Sequence, residues 1–317
     1  MSNILVVYST SEHRFPGRNL DYYISALNSI LAQDWDNNLH VAYSGFCNSP
    51  KTKKKIQDEF GFDLSYYFTD QSPLPINITF NRVIQLCTEA NGGKPYDAII
   101  YIDSGCHFGS NNGVLKAMWD VYKSGQYGMV AVNTSEDNGE SFWGLNYAGK
   151  RVILPVGKTV NLHCQLFDGQ IYQTFDNRVM PDIFASYCTE SVFGTLAYSL
   201  NKHFIMLGDI VIQHKHGMDF GSSSVDEARK ELLKKEGRSW SHLFTKKRTI
   251  DDIINNPEMR ACGAFYEAVQ NVALPNMDCY KDGLCKDPER LKRFVKENFF
   301  LTKDEFDYEG IAEEFIV

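Results

Sequence analysis

The five residues Ala98-Ile99-Ile100-Tyr101-Ile102 constrain this chain more than any others. They are short, apolar and without alternation, so a strand here needs cover on both of its faces. That demand points to an α/β sheet with helices on either side. The run stops at Asp103, and Ser104-Gly105 lets the backbone turn. A carboxylate at the carboxyl end of such a strand lies on the rim where open α/β sheets bind ligands. Its oxygens suit hard cations such as Mg²⁺ or Mn²⁺, which bridge readily to phosphates. The plainer role for Asp103 is to cap the next segment.

The residues before this run alternate between strand and helix patterns. Asn3 to Ser9, Leu39 to Tyr43 and Tyr66 to Phe68 read as strands. Asp21 to Gln33 carries apolar residues at helical spacing, Lys51 to Phe60 is basic then amphipathic, and Ile76 to Thr88 forms a third helix. After Asp103 come a helix over Val114 to Lys123 and a strand over Gly128 to Asn133. This order predicts a mostly parallel sheet with right-handed crossovers.

Further on, Thr134 to Gly149 is polar and glycine-bearing and is expected to be a mobile loop that exposes Trp143. Val160 to Phe175 has β-like runs on both sides of Asp168-Gly169, which predicts a hairpin. Pro181 to Leu200 reads as helix, and Phe204 to Leu207 as a strand leading to Ile210-Val211-Ile212 and then His214-Lys215-His216. Beyond Gly221 the chain turns helical, with capping-box patterns at Ser224 to Glu227 and Thr302 to Glu305. Two parts are therefore expected, a sheet domain over 1–220 and a helical extension over 221–317.

Composition narrows the class. With 43% hydrophobic and 13% aromatic residues the chain can build a large core. The net charge of −8 disfavours general adhesion to nucleic acid or acidic lipid. Lys234-Lys235 and Lys246-Lys247-Arg248 read as solvated helix ends, so a nucleic-acid partner stays open but is not favoured. The eight cysteines lack paired metal spacing and read as reduced packing residues. No leader or membrane span is recognised in the sequence, and a cytoplasmic location is expected.

Five segments in order resemble the family-two-like, GT-A-fold glycosyltransferases. Ser25 to Trp35 is similar to their first helix, and Ile76-Asn77-Ile78-Thr79-Phe80-Asn81-Arg82 to the asparagine-bearing helix before their metal strand. Ile100 to Gly105 falls where they carry D-x-D, with Gly105 in place of the second acid. Tyr187-Cys188-Thr189-Glu190-Ser191 resembles their E-D segment, with Ser191 in place of Asp, and His214 or His216 their late metal-facing histidine. The resemblance spans residues 3 to 217. Where the strand-two acid often stands, this chain has Ser44-Gly45.

The resemblance implies transfer of a sugar from a nucleotide-sugar donor to an acceptor hydroxyl, inverting and assisted by Mn or Mg. Glu190 is then the catalytic base; Asn77, Asn81, Asp103, Ser104 and Gly105 bind the donor; Asp103 and His214 hold the metal. His214 and His216 alternate along an extended segment, so only one need face the cleft, and His214 is preferred. The acceptor is a glycan, a protein, a small molecule or modified DNA. Asn77 and Asn81 share a helix face, and residues alone read them equally well as a cap and brace of the helix start. His107 and His163 read as structural or solvated, His163 on a hairpin arm where it could also meet an acceptor. A non-catalytic binding protein of the same fold and a nucleotidyltransferase are the rival functions, and a homo-oligomer is open. The nucleotidyltransferase lacks the support of a glycine-rich loop after the first strand, because Ser9 to Gly17 is not glycine-rich.

Overall fold

The computed structural model describes residues 2–11, 20–35, 38–46, 49–61, 64–70, 76–135, 146–154, 163–180 and 193–215, with 289, 292, 293, 295, 296 and 300. Of the sequence readings, those on Trp143, on Tyr187 to Ser191 with Glu190, on His216 and on 221–288 lie outside these residues.

The first half follows the predicted alternation: β1 (Asn3–Ser11), α1 (Leu20–Leu31), β2 (Asn38–Phe46), α2 (Pro50–Phe60), β3 (Tyr66–Asp70), α3 (Ile76–Ala90) and β4 (Ala98–Asp103). Next come β5 (Cys106–His107), α4 (Val114–Tyr122), β6 (Tyr127–Thr134), β7 (Arg151–Leu154), β8 (Cys164–Asp168), α5 (Gly169–Thr174), α6 (Phe193–Ser199) and β9 (His203–His214). Local chemistry sets several boundaries. Ser49 caps α2 by accepting from the Thr52 amide at 3.2 Å, with Pro50 in the first turn, where its missing N–H costs nothing.

The strands form a sheet in the order β3-β2-β1-β4-β8-β6-β9-β5, and β7 pairs with β9. β1 is parallel to β2 and β4, β2 to β3, and β6 to β9. β8 runs antiparallel between β4 and β6. As a result β1, β2, β3, β4, β6 and β9 all end on one rim, and β8 begins there.

Every residue of β4 is buried, as its unbroken apolar run requires. Alternate residues feed opposite cores. Ile99 and Tyr101 join Leu5, Val7, Phe80, Phe167 and Leu196 on one face. Ala98, Ile100 and Ile102 join Val6, Leu27, Ile56, Leu115 and Met118 on the other. Each fully buried Ile or Leu side chain contributes roughly 1.5–3 kcal/mol relative to exposure, so burial holds the central strands firmly.

One prediction fails. Asp168-Gly169 is not a hairpin turn but the start of a helix. The Asp168 carboxylate accepts from the Gln170 amide at 2.8 Å and caps α5, while its other oxygen pairs with Lys202. Asp is as good an N-cap as a turn residue, and tertiary pairing of β8 with β4 and β6 decided between them. Strand β7 was not foreseen, and Phe204 to Ile212 is one irregular strand rather than two pieces.

Candidate metal and donor site at the carboxyl rim

Three side chains meet where the parallel strands end. Asp103 closes β4, His214 closes β9, and His163 immediately precedes β8. One Asp103 oxygen, Oδ2, lies 3.0 Å from His214 Nε2 and 3.7 Å from His163 Nδ1. The two imidazole rings lie against each other with centroids 3.8 Å apart. One ligand atom from each residue falls within 4.8 Å of the other two, a spacing that could hold a single metal ion. A carboxylate as buried as Asp103, at 3% exposure, is costly unless it is paired or coordinates a metal.

Backbone bonds hold the three together. The Asp103 amide donates to the His163 carbonyl at 2.8 Å, which docks the start of β8 against the end of β4. The Lys215 amide donates to the Gly105 carbonyl at 3.0 Å, and Cys106 pairs with His214 across β5 and β9. The His214 amide donates to Ser135 Oγ at 3.1 Å, just past the end of β6. The turn after Asp103 is braced by two tyrosines. Tyr8 donates to the Ser104 carbonyl at 3.1 Å and Tyr22 to the Gly105 carbonyl at 2.5 Å. The Ser104 amide in turn donates to Asp103 Oδ1 at 2.8 Å, which leaves Oδ2 facing the imidazoles.

Gly105 stands in the third D-x-D position for a steric reason. A Cβ there would lie 2.6 Å from His214 Nε2 and 2.9 Å from the Lys215 carbonyl oxygen. No side chain fits while His214 occupies that space. A side chain at Gly105 would begin where the His214 imidazole stands.

The other sequence candidates are placed as follows. The Asn81 amide is fully buried; its Oδ1 accepts from the Val179 and Met180 amides at 3.0 Å each, and its Nδ2 donates to the Met180 carbonyl at 2.8 Å. It braces the segment before residue 181. Asn77 lies in the first turn of α3. Ser104 and Gly105 build the turn beside Asp103. His107 bonds Ser25 Oγ at 2.8 Å and accepts from the Gly109 amide at 2.8 Å, so it is structural, as expected. His163, read from the sequence as structural or solvated, joins the group that could hold a metal ion. No local signal marks it, because only the antiparallel insertion of β8 brings it to this rim.

Among solved structures, the mannosyltransferase PcManGT from Pyrobaculum calidifontis, in complex with GDP-Man and Mn²⁺, aligns with 92% of this chain and 73% of its own. The TM-score is 0.50 at 12% sequence identity, which establishes likeness of fold. The fold is GT-A. TarS 1-349 from S. aureus aligns with 93% of this chain and 81% of its own, at TM-score 0.49 and 14% identity. No family model and no curated protein matches the chain. Asp103 lies on the carboxyl rim of this sheet, and His163 and His214 meet it there in a group that could hold a metal ion. Among the described residues no helix is long and apolar enough to cross a membrane.

Proposed function

We propose that this protein is a glycosyltransferase that moves a sugar from a nucleotide-sugar donor to an acceptor hydroxyl, with inversion and with a divalent metal, Mn or Mg. The observation that carries the reading is the Asp103–His163–His214 group on the carboxyl rim of a GT-A sheet. Open α/β sheets bind ligands outside the carboxyl ends of their strands. A carboxylate and neutral imidazoles fit a divalent cation chemically, and burial gives them reason to be paired with one. When bound, such an ion neutralises charge developing on the diphosphate leaving group.

The chain's own residues have distinct tasks in this reading. Asp103 and His214 hold the metal, and Asp103, Ser104 and Gly105 shape the donor side. The hydroxyls of Tyr8 and Tyr22 fix the turn, so the carboxylate is set before the donor arrives. Asn77 and Asn81 serve the donor pocket, Asn81 through the segment it braces. Glu190 accepts the proton of the acceptor hydroxyl, a role assigned from the resemblance of Tyr187 to Ser191 to the E-D segment. The acceptor is a glycan or another hydroxyl-bearing molecule.

The test is calorimetry of UDP, GDP and other nucleoside diphosphates with and without Mn²⁺, followed by turnover of the matching nucleotide-sugars. Asp103→Asn is expected to abolish metal-dependent nucleotide binding while the protein still folds. Glu190→Gln is expected to keep donor affinity and to lose about 10²–10⁴-fold in turnover, because a positioned base acts in the transition state. Unchanged Mn²⁺-linked binding in Asp103→Asn, or near-normal turnover in Glu190→Gln, rejects the corresponding role.

A further inference from the structure

The missing second acid raises the question of what replaces it. Gly105 cannot carry a side chain, because His214 fills the space. His163 approaches the same Asp103 oxygen from the neighbouring strand, with its ring against that of His214. Its backbone is fixed by the bond from the Asp103 amide, and its carbonyl also accepts from the Cys106 thiol at 3.3 Å. Two ring nitrogens and one carboxylate oxygen therefore converge from the starts and ends of three strands. Donors bound to one ion at about 2.1 Å lie about 3 Å apart at a right angle and farther apart at wider angles, so separations of 3.0 and 3.7 Å suit a shared ion.

We propose that His163 is the third protein ligand of a two-imidazole, one-carboxylate centre, and that this centre takes a first-row transition ion such as Mn²⁺, Fe²⁺ or Co²⁺ in preference to Mg²⁺. The donor set decides this. Two carboxylates bring two negative charges and only oxygen donors, which suit Mg²⁺. Exchange of one carboxylate for imidazole removes a charge and supplies nitrogen, which Mg²⁺ binds poorly and transition ions bind well. A set of two histidines and one carboxylate also leaves coordination positions for ligand oxygens. The inference rests on the glycosyltransferase reading only for the ion's task, since the ligands follow from the donor atoms themselves.

The experiment uses the full chain with no nucleotide present. Mn²⁺ is titrated and free Mn²⁺ is counted by electron paramagnetic resonance, Co²⁺ is followed by its visible absorption, and Mg²⁺ is added in competition. The expected result is one Mn²⁺ per chain that a roughly hundredfold excess of Mg²⁺ does not displace. His163→Asn is expected to weaken Mn²⁺ binding at least as much as the roughly 10–100-fold seen on loss of a ligand's outer partner. His163→Asp restores a second carboxylate and is expected to let Mg²⁺ compete, which keeps the test decisive if the Asn variant melts early. Absence of bound ion, equal competition by Mg²⁺ in the unaltered protein, or unchanged Mn²⁺ affinity in a folded His163→Asn overturns the proposal. Metal bound by a protein that ignores every nucleoside diphosphate leaves this centre standing and ends the glycosyltransferase reading. Nucleotide binding with no metal bound does the reverse.

Discussion

Gly105 shows how one residue can look like a lost function and be a consequence of another. Read along the chain, it is a D-x-D motif short of an acid. In space, its missing Cβ is the volume that lets His214 Nε2 reach Asp103. The two readings predict opposite results for the same substitution. If the acid had simply been lost, Gly105→Asp would strengthen metal binding by restoring a carboxylate. Here a Cβ would lie 2.6 Å from the ring nitrogen and close to the Lys215 backbone, which cannot swing away as a long side chain could. Gly105→Asp is therefore expected to displace His214 and to lower Mn²⁺ affinity, with over-packing costing about 1–3 kcal/mol of stability. Mn²⁺ titration and thermal melting of this variant check both parts. Tighter Mn²⁺ binding with an unchanged melting temperature would sink the steric account.

At the scale of elements, β9 delivers His214 by means of an irregularity. Leu207 pairs with Val132, but the next pair is Val211 with Asn133, so Gly208 to Ile210 have no counterparts on β6. Such an insertion bends a strand and re-aims its continuation. Gly208 sits under the Tyr147 carbonyl, whose oxygen would be 1.7 Å from a Cβ, and its own amide and carbonyl bond Lys150 and Gly149. Asp209 then pairs with Arg151 on β7 through both oxygens, at 2.9 and 3.1 Å. Gly208→Ala is expected to push β7 from β9 and cost about 1–3 kcal/mol, with a loss of Mn²⁺ affinity because His214 lies six residues on. Melting temperature and Mn²⁺ titration together measure this; a variant as stable and as tight as the original would show the bulge to be incidental. The same scale explains what the sequence could reveal. β1 to β4 were legible because each is a β-rich run flanked by amphipathic helices of its own, and Asp103 was legible because it ends the most apolar of them. β8 and α5 were misread because Asp168-Gly169 suits a turn and an N-cap equally. With that error His163 went to a hairpin arm. Side chains that converge from strands not adjacent in sequence leave no spacing to find.

At the scale of the whole molecule, three histidines away from Asp103 have their charged form disfavoured by burial. His40 lies between Tyr96 and Tyr66, with its Nδ1 3.0 and 3.3 Å from their hydroxyls. His203 packs edge-on against Tyr198 at the start of β9, and His107 accepts the Gly109 amide on the opposite rim. Desolvation by burial lowers the pKa of all three. The unfolded chain has no such environment, so its histidines take up protons as pH falls through about 6.5. Across that range these three histidines hold more protons in the unfolded state than in the folded one, so their contribution to stability falls with pH. The loss begins near the unfolded pKa and levels off once pH passes below the lowered folded values; above about pH 7.5 the three contribute no slope. Asp120, held below the usual carboxylate range by Lys116, loses its contribution only in more acidic solution, so it does not confuse the window. Urea midpoints are therefore expected to drop between pH 7.5 and pH 5.5, and His40→Gln, which keeps an amide for the tyrosines but cannot take the proton, is expected to shrink that drop. A pH dependence identical in His40→Gln and the unaltered protein would show that its burial in the fold is not felt as proton exclusion.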